Sequence, residues 1–242
     1  MRLFAIVSYL GTSYHGWQKQ PGDLSVQEEI EKVLSKILNT PIDIYASGRT
    51  DAGVHALGQT FHFDVDKDVD ISKLRYSANM LLPPSIVLKE LKEVDDNFHA
   101  RFSAIGKTYR YSLYFGERDP FLEGRSCFYP YEFDLDLFKY ALAKFMGTHN
   151  YQDFTSKEED QSDFYRSISS ISVSKKDKEL YIDISGNGFM RYMVRFIIGT
   201  ALAVASKKEP LDFIDKHLDN KKRNIVSYKA DASGLYLLEV IY

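Results

Sequence analysis

Hydrophobic positions along this chain switch between strand-like and helix-like periods, and they do so twice in a similar order. Residues 2–10 alternate as a strand does. A helix then starts at Ser25, where Glu28 completes a Ser-x-x-Glu capping box. Val26, Ile30, Val33, Leu34, Ile37 and Leu38 fall on one face at helical spacing, and Asn39-Thr40-Pro41 ends the run. Residues 42–45 and 60–65 read as two strands flanking a glycine-containing loop. Residues 71–80 read as a shorter helix stopped by Pro83-Pro84, and 86–94 as a strand.

The second half begins again at 107–115, where Tyr109, Tyr111 and Leu113 alternate with polar neighbours. Asp134 is placed to cap a helix carrying Phe138, Ala141, Leu142, Phe145 and Met146, closed by Gly147. Residues 168–174 and 180–185 predict strands, 189–206 a long helix, 210–220 a short one and 235–242 a terminal strand. Residues 156–163 are acidic and polar and read as a mobile surface loop. The order predicts an α+β fold of two similar domains, 1–103 and 104–242, with the boundary in the stretch 101–106. Each domain would pack helices on one face of an antiparallel sheet, leaving the opposite faces to line a shared cleft.

Composition narrows the class. The 242 residues are 44% hydrophobic, enough for one large core or two smaller ones. No apolar run approaches the roughly 18 residues of a membrane span; the longest, 189–205, is interrupted by Arg191 and Arg195. The N-terminal residues read as a first strand rather than a signal peptide. A single cysteine, Cys127, excludes an intramolecular disulfide and a cysteine-rich zinc site. These features predict a soluble cytoplasmic protein. The net charge of −3, from 31 Lys and Arg against 34 Asp and Glu, counts mildly against a nucleic-acid partner unless the charges segregate.

Chemistry concentrates in residues 47–62. Gly48, Gly53 and Gly58 imply tight backbone geometry, and Arg49, Asp51, His55 and His62 crowd ionisable groups into the same stretch. An ordinary Asp-x-Gly turn explains part of this pattern. His55 and His62 stand seven apart with no cysteine to assist, so no metal site is expected. No nucleotide-cofactor fingerprint is present either.

The string Gly48-Arg49-Thr50-Asp51-Ala52-Gly53-Val54-His55-Ala56 resembles the active-site motif of the tRNA pseudouridine synthase A family. Four further blocks agree in order. They are Tyr9-Leu10-Gly11-Thr12-Ser13-Tyr14-His15-Gly16-Trp17-Gln18-Lys19-Gln20, then Phe98-His99-Ala100-Arg101-Phe102-Ser103-Ala104 with Lys107-Thr108-Tyr109-Arg110-Tyr111. Phe189-Met190-Arg191-Tyr192-Met193-Val194-Arg195 with Gly199-Thr200 follows, and Gly234-Leu235-Tyr236-Leu237 closes the series. The resemblance spans nearly the whole chain. It implies the pseudouridine synthase fold and an isomerase that converts uridine to pseudouridine at positions 38, 39 and 40 of tRNA anticodon stem-loops. It also implies that the enzyme works without a cofactor, as a homodimer.

By the same resemblance Asp51 is the catalytic carboxylate, acting as nucleophile or base, and Arg195 is its ion-pair partner. Tyr109 packs on the target uracil, Arg49 stabilises the space left by the flipped base, and Leu235 closes the pocket as an apolar wall. Arg191 and Arg195 are four apart and so are expected on one side of their helix. His55 reads as a buried hydrogen-bonding residue rather than a general base. Residues 150–156 resemble the family only loosely, which leaves the tRNA footprint open. An RNA-binding module that does no chemistry, and a nucleoside hydrolase or glycosidase using paired carboxylates or a metal site, are the rival readings. The constrained acidic loop argues against the first, and the lack of a second carboxylate near Asp51 in sequence argues against the other.

Overall fold

The computed structural model describes residues 1–66, 68–156 and 163–242. Most of the acidic loop expected at 156–163 therefore lies outside the described residues. By internal contacts the chain forms two compact units, Met1–Ile105 together with Tyr236–Tyr242, and Gly106–Leu235. The final strand, grouped with the second domain from sequence, thus belongs by its contacts to the first.

The first unit contains strands β1 (Arg2–Tyr9), β2 (Tyr45–Ala46), β3 (His55–Asp64) and β4 (Ile86–Val94), with helices α1 (Val26–Leu38) and α2 (Ile71–Leu81). Strand β1 runs antiparallel between β3 and β4. On its other edge β3 pairs with β2 at one end and, in parallel, with the chain's last strand at the other, through Tyr236↔His55 and Leu237↔Ala56. The observed start of β3 at His55 is five residues earlier than the sequence pattern places it. Gly58 hides the strand, because a Cβ there would stand 2.6 Å from the carbonyl oxygen of Leu238. Only glycine lets the two backbones approach so closely.

Helix α1 forms as its pattern predicts. The Ser25 hydroxyl accepts from the Glu28 N–H at 3.3 Å, and Asn39 ends the helix in the left-handed region at φ 54°. Val26, Ile30 and Leu34 are fully buried, as are Leu3, Ala5 and Val7 of β1 and Phe61 and Phe63 of β3. Each large apolar side chain so buried contributes about 1.5–3 kcal/mol.

The second unit contains β5 (Gly106–Tyr114), β6 (Cys127–Phe128), β7 (Gly147–Asn150), β8 (Tyr165–Lys176) and β9 (Glu179–Gly186), with helices α3 (Leu135–Ala143), α4 (Met193–Ala205) and α5 (Asp212–Leu218). The terminal strand of the chain, Leu235–Ile241, is β10. Strands β5, β9, β8 and β7 form an antiparallel series, and β6 pairs in parallel with β5. The parallel pairings of β10 and β6 depart from the purely antiparallel sheets expected. Tyr111, Leu113, Leu180, Ile182 and Ile184 share one buried face through the register Tyr111↔Ile182 and Leu113↔Leu180. The long helix expected from 189 begins only at Met193. Tyr192 sits in the left-handed region (φ 62°, ψ 3°) and breaks it there.

Among the described residues no helix is long and apolar enough to cross a membrane. The α+β class holds, with five α-helices and extensive sheet among the described residues.

One buried group makes the first unit sensitive to acid. His62 is 2% exposed, and its Nδ1 accepts the Ala100 N–H at 3.2 Å. Tyr45 stacks on its ring and His99 meets it edge-on. Burial, with help from His99 and Arg2, pushes its pKa down to about 4. Between pH 6.5 and about 4 the unfolded chain binds a proton that the folded unit refuses. The stabilisation is complete above pH 6.5 and is lost as pH falls. Urea unfolding should lose about 1–2 kcal/mol between pH 7 and pH 5 from this residue. His62→Gln should flatten that part of the profile; superimposable pH profiles for the two proteins would contradict it.

Candidate active site

Asp51 belongs to the loop that joins β2 to β3, and the backbone of that loop is held from two sides. Asp51-Ala52-Gly53-Val54 form a turn closed by the Val54 N–H donating to the Asp51 carbonyl at 3.1 Å. Gly53, at the third position, has φ +77°, a conformation that L side chains resist. Below the turn lies the segment 11–17, which follows β1. The Trp17 N–H donates to the Thr50 carbonyl at 3.0 Å, and the Gly53 N–H donates to the Tyr14 carbonyl at 3.3 Å. The Tyr9 and Thr50 hydroxyls bond at 2.8 Å.

Two glycines let this seat exist. A Cβ on Gly11 would overlap the Val54 carbonyl, and one on Gly16 would stand 2.6 Å from the Thr50 oxygen. Gly16 also has φ +96°. The seat is itself anchored in the core: Trp17 is 2% exposed and packs on Tyr9 and Phe61.

His55 is fully buried, its Nδ1 accepts the Gly11 N–H at 3.0 Å, and its ring stacks on Tyr236 at 4.5 Å. It is a structural hydrogen-bonding residue, as the sequence suggests. Gln59, which sequence reasoning passed over, fixes the start of the loop. It is fully buried; its Oε1 accepts from the Ser47 hydroxyl at 3.0 Å and the Thr60 N–H at 3.1 Å, and its Nε2 donates to the Gly48 carbonyl at 3.0 Å. A polar residue at an inward position of β3 is the signal that would have found it. Of the two ionisable site candidates here, Asp51 is half-buried and Arg49 is exposed.

The second unit carries Tyr109, Arg195 and Leu235. Tyr109 stands on β5 opposite Ile184, two residues before the buried Tyr111. It is half-buried, and its ring meets Phe189 edge-on at 5.1 Å. Arg195 lies in the first turn of α4, and its Nε donates to the Ala230 carbonyl at 2.7 Å. The Ala230 N–H returns a bond to the Arg195 carbonyl at 3.0 Å. Its guanidinium carbon sits 5.2 Å from the Tyr192 ring centre.

Arg191 does not share a helix face with Arg195, because α4 begins two residues after Arg191. The left-handed turn at Tyr192, which costs an L-residue about 1–2 kcal/mol, instead brings Arg191 over the same ring at 4.8 Å. Leu235 is 5% exposed at the start of β10.

Segment 150–156 serves the fold of this unit. Asp153 is fully buried and bonded to His217, Asn220 and the Asn224 N–H. The neighbouring Thr155 hydroxyl donates to the Arg191 carbonyl at 3.0 Å.

Comparison with known proteins assigns the chain to a family. A family model described as tRNA pseudouridine synthase matches residues 5–103 and 141–242. The chain belongs to the tRNA pseudouridine synthase family. Proteins named tRNA pseudouridine synthase A are similar over its whole length. The one from Acetivibrio thermocellus is 37% identical over 238 residues, covering 98% of each chain. That from Geobacillus sp. is 40% identical, covering 100% of this chain and 98% of the relative. That from Aeromonas hydrophila is 38% identical, covering 100% and 90%. Arg49, Asp51, Arg195 and Leu235 fall inside the segments matched by the family model; Tyr109 falls between them, in a stretch that the full-length relatives cover.

The glycine seat can be separated from glycine strain in general. Gly22 has φ +84° but an added Cβ meets nothing within 4 Å, whereas at Gly16 it meets the Thr50 carbonyl. Gly22→Ala should cost about 1 kcal/mol of stability and keep wild-type pseudouridine formation. Gly16→Ala should cost at least as much and slow product formation tenfold or more. Urea unfolding and a tritium-release assay on tRNA would check this; equal activity in the two variants would refute the seat.

Proposed function

We propose that this protein isomerises uridine to pseudouridine at positions 38, 39 and 40 of tRNA anticodon stem-loops, in the cytoplasm and as a homodimer. End-to-end similarity to proteins named tRNA pseudouridine synthase A supports the reading. The observation that carries it is the Asp51 turn, a carboxylate on a backbone fixed by Gly53 above and by Gly11 and Gly16 below.

The reaction breaks the N1–C1′ bond, turns the uracil and joins C5 to C1′. C5 then gives up its proton and N1 takes one, so atoms balance without an oxidant or a second substrate. The base must first leave its stack, at a cost of a few kcal/mol. A carboxylate at Asp51 would attack C1′ or remove a sugar proton, and both roles require it ionised and fixed. Arg195 would pair with it, favouring the charged form and holding one rotamer. Its guanidinium is already oriented by the Ala230 carbonyl and the Tyr192 ring.

Tyr109 would pack on the detached uracil, with Phe189 buttressing its ring from the edge. Leu235 would form an apolar wall, and Arg49, exposed on the Asp51 loop, would stabilise the space the base vacates.

Asp51→Asn should bind tRNA within a few-fold of wild type and form no detectable pseudouridine. Mapping pseudouridine in tRNA from a deletion strain, with and without the gene, reads reaction, substrate and position together. Unchanged modification by the variant would refute the assignment. In the same assay Tyr109→Ala should lose about 5- to 150-fold, the worth of a base stack of about 1–3 kcal/mol. Tyr109→Phe should lose much less, and equal losses would transfer the role to the hydroxyl. Light scattering at assay concentration should give a dimer mass, and a monomer alone would remove that part.

A further inference from the structure

We propose that Tyr111 is a positioning residue for the isomerisation. Its buried hydroxyl fixes the segment 228–235 and, through that segment, holds Arg195 and Leu235 in place. The proposal rests on the reading above for the reaction. It adds a residue to which neither the resemblance nor the comparisons assign a role.

The segment 228–235 joins two of the candidate residues of the second unit. At one end it lies on α4. Gly199 admits it there, since a Cβ on Gly199 would stand 2.5 Å from the Tyr228 carbonyl oxygen. The Arg195 Nε donates to the Ala230 carbonyl at 2.7 Å, and the Ala230 N–H donates to the Arg195 carbonyl at 3.0 Å. At its other end the segment becomes Leu235, the first residue of β10. Whatever locates the backbone between Ala230 and Leu235 therefore sets where guanidinium and leucine stand.

Strand β5 supplies that location. Tyr111 is fully buried, and its hydroxyl donates to the Asp231 carbonyl at 2.9 Å. Its ring lies against Gly234. A Cβ on that glycine would stand 2.7 Å from the ring carbon that bears the hydroxyl, and 2.5 Å from the Ser112 carbonyl oxygen. Between these contacts the Asp231 Oδ1 accepts from the Ser233 N–H at 2.9 Å and the Ser233 hydroxyl at 2.7 Å. The Leu235 N–H donates to the Ala232 carbonyl and closes the turn. A turn so closed moves as a body, so the bond at its start aims its whole length. Tyr109 stands two residues before Tyr111 and projects from the same face of β5. One strand thus carries both the ring that would meet the uracil and the hydroxyl that sets Arg195 and Leu235.

The hydroxyl is a permanent donor. Burial raises the Tyr111 pKa well above its ordinary value, so the proton stays in place. Burial also raises the pKa of the neighbouring Cys127 thiol, so no thiolate draws that proton away from Asp231. The same strand offers a contrast. Tyr114 is also fully buried, but its hydroxyl has no hydrogen-bond partner among the described residues. Removing a bonded hydroxyl strands its acceptor, whereas removing an unbonded one strands nothing.

Tyr111→Phe keeps the ring and deletes the bond, and Tyr114→Phe is the matched control. Fluorescence anisotropy gives tRNA affinity of the full-length protein, and single-turnover pseudouridine formation gives the rate. Tyr111→Phe should bind tRNA within twofold of wild type yet react at least tenfold more slowly. Tyr114→Phe should match wild type in both. In a Leu235→Ala background Tyr111→Phe should cost less than it does alone, because the two act through one segment. Hydrogen exchange at the Ala230 N–H should be at least tenfold faster in Tyr111→Phe, which reads the anchor without reference to activity. A wild-type rate in Tyr111→Phe, or equal losses in the two tyrosine variants, would overturn the proposal and leave the hydroxyl a plain core contact. Losses that multiply in the double variant, with unchanged exchange at Ala230, would do so as well. Should Tyr111→Phe fail to fold, Gly234→Ala presses on the same ring and should likewise slow reaction more than binding; a wild-type rate there would overturn the anchor. Wild-type protein that binds tRNA but forms no pseudouridine would sink the enzyme reading alone, and exchange at Ala230 would then judge the anchor.

Discussion

The backbones of 11–17 and 50–54 touch at Gly11 and Gly16 more closely than a side chain there would allow, and the position of Asp51 depends on that contact. Strand pairing brings them together. Strand β1 ends where β3 begins, with Tyr9 opposite Ala56 in an antiparallel register. The loop leaving β1 and the loop entering β3 must therefore meet at one end of the strands. Glycine at 11 and 16 removes the Cβ atoms that would hold them apart, and the peptide groups then bond directly. A carboxylate carried on such a turn has only its own two side-chain torsions left to fix. That is economical pre-organisation, since catalysis by positioning tolerates errors of well under an ångström.

Regular elements with a long apolar stripe were legible from the residues alone. Helix α1 with its Ser25 cap, the Asp134-capped α3, and strands β1, β4 and β5 all follow from period and cap. The failures share a cause, which is that their determinants are non-local. Strands β6 and β7 have two and four residues, too few to establish a period. The start of β3 is masked by Gly58, whose reason is a neighbour far along the chain. An apolar run such as 189–206 does not reveal that Tyr192 takes a left-handed conformation, so the helix start moved. At the candidate site, Asp51 and Arg195 were legible only through resemblance. The reason for the block Gly11 to Trp17 became physical only once its backbone was seen against Thr50 and Val54. The role of Gln59, beyond its being a polar residue at an inward strand position, emerges only when its three partners are known.

Net charge was a poor guide for the same reason. At physiological salt, exposed charges act over about 8 Å, so a polyanion responds to the local field and not to the sum over the chain. Lys229, Arg191 and Arg195 meet on a patch the width of one ring. Elsewhere cations and carboxylates neutralise one another in ion pairs such as Arg110–Asp183, Lys144–Asp215 and Lys178–Asp119. Composition counts such paired charges without regard to where they stand.

The two units hold their candidate residues by opposite means. The first removes atoms, so that peptide groups can touch. The second buries a carboxylate. Asp153 has no exposure, and desolvating it costs several kcal/mol unless its oxygens are satisfied. His217, Asn220 and the Asn224 N–H supply that satisfaction, tying segment 150–155 to the chain beyond α5. From there Thr155 reaches the Arg191 carbonyl, immediately before the left-handed turn at Tyr192. A loss at Asp153 would leave its partners' polar groups unpaired and loosen the same loop that orients Arg191 and begins α4. Segment 150–155 is thus fastened to the backbone of the stretch that precedes α4. Any substitution in that segment must keep the carboxylate buried and bonded.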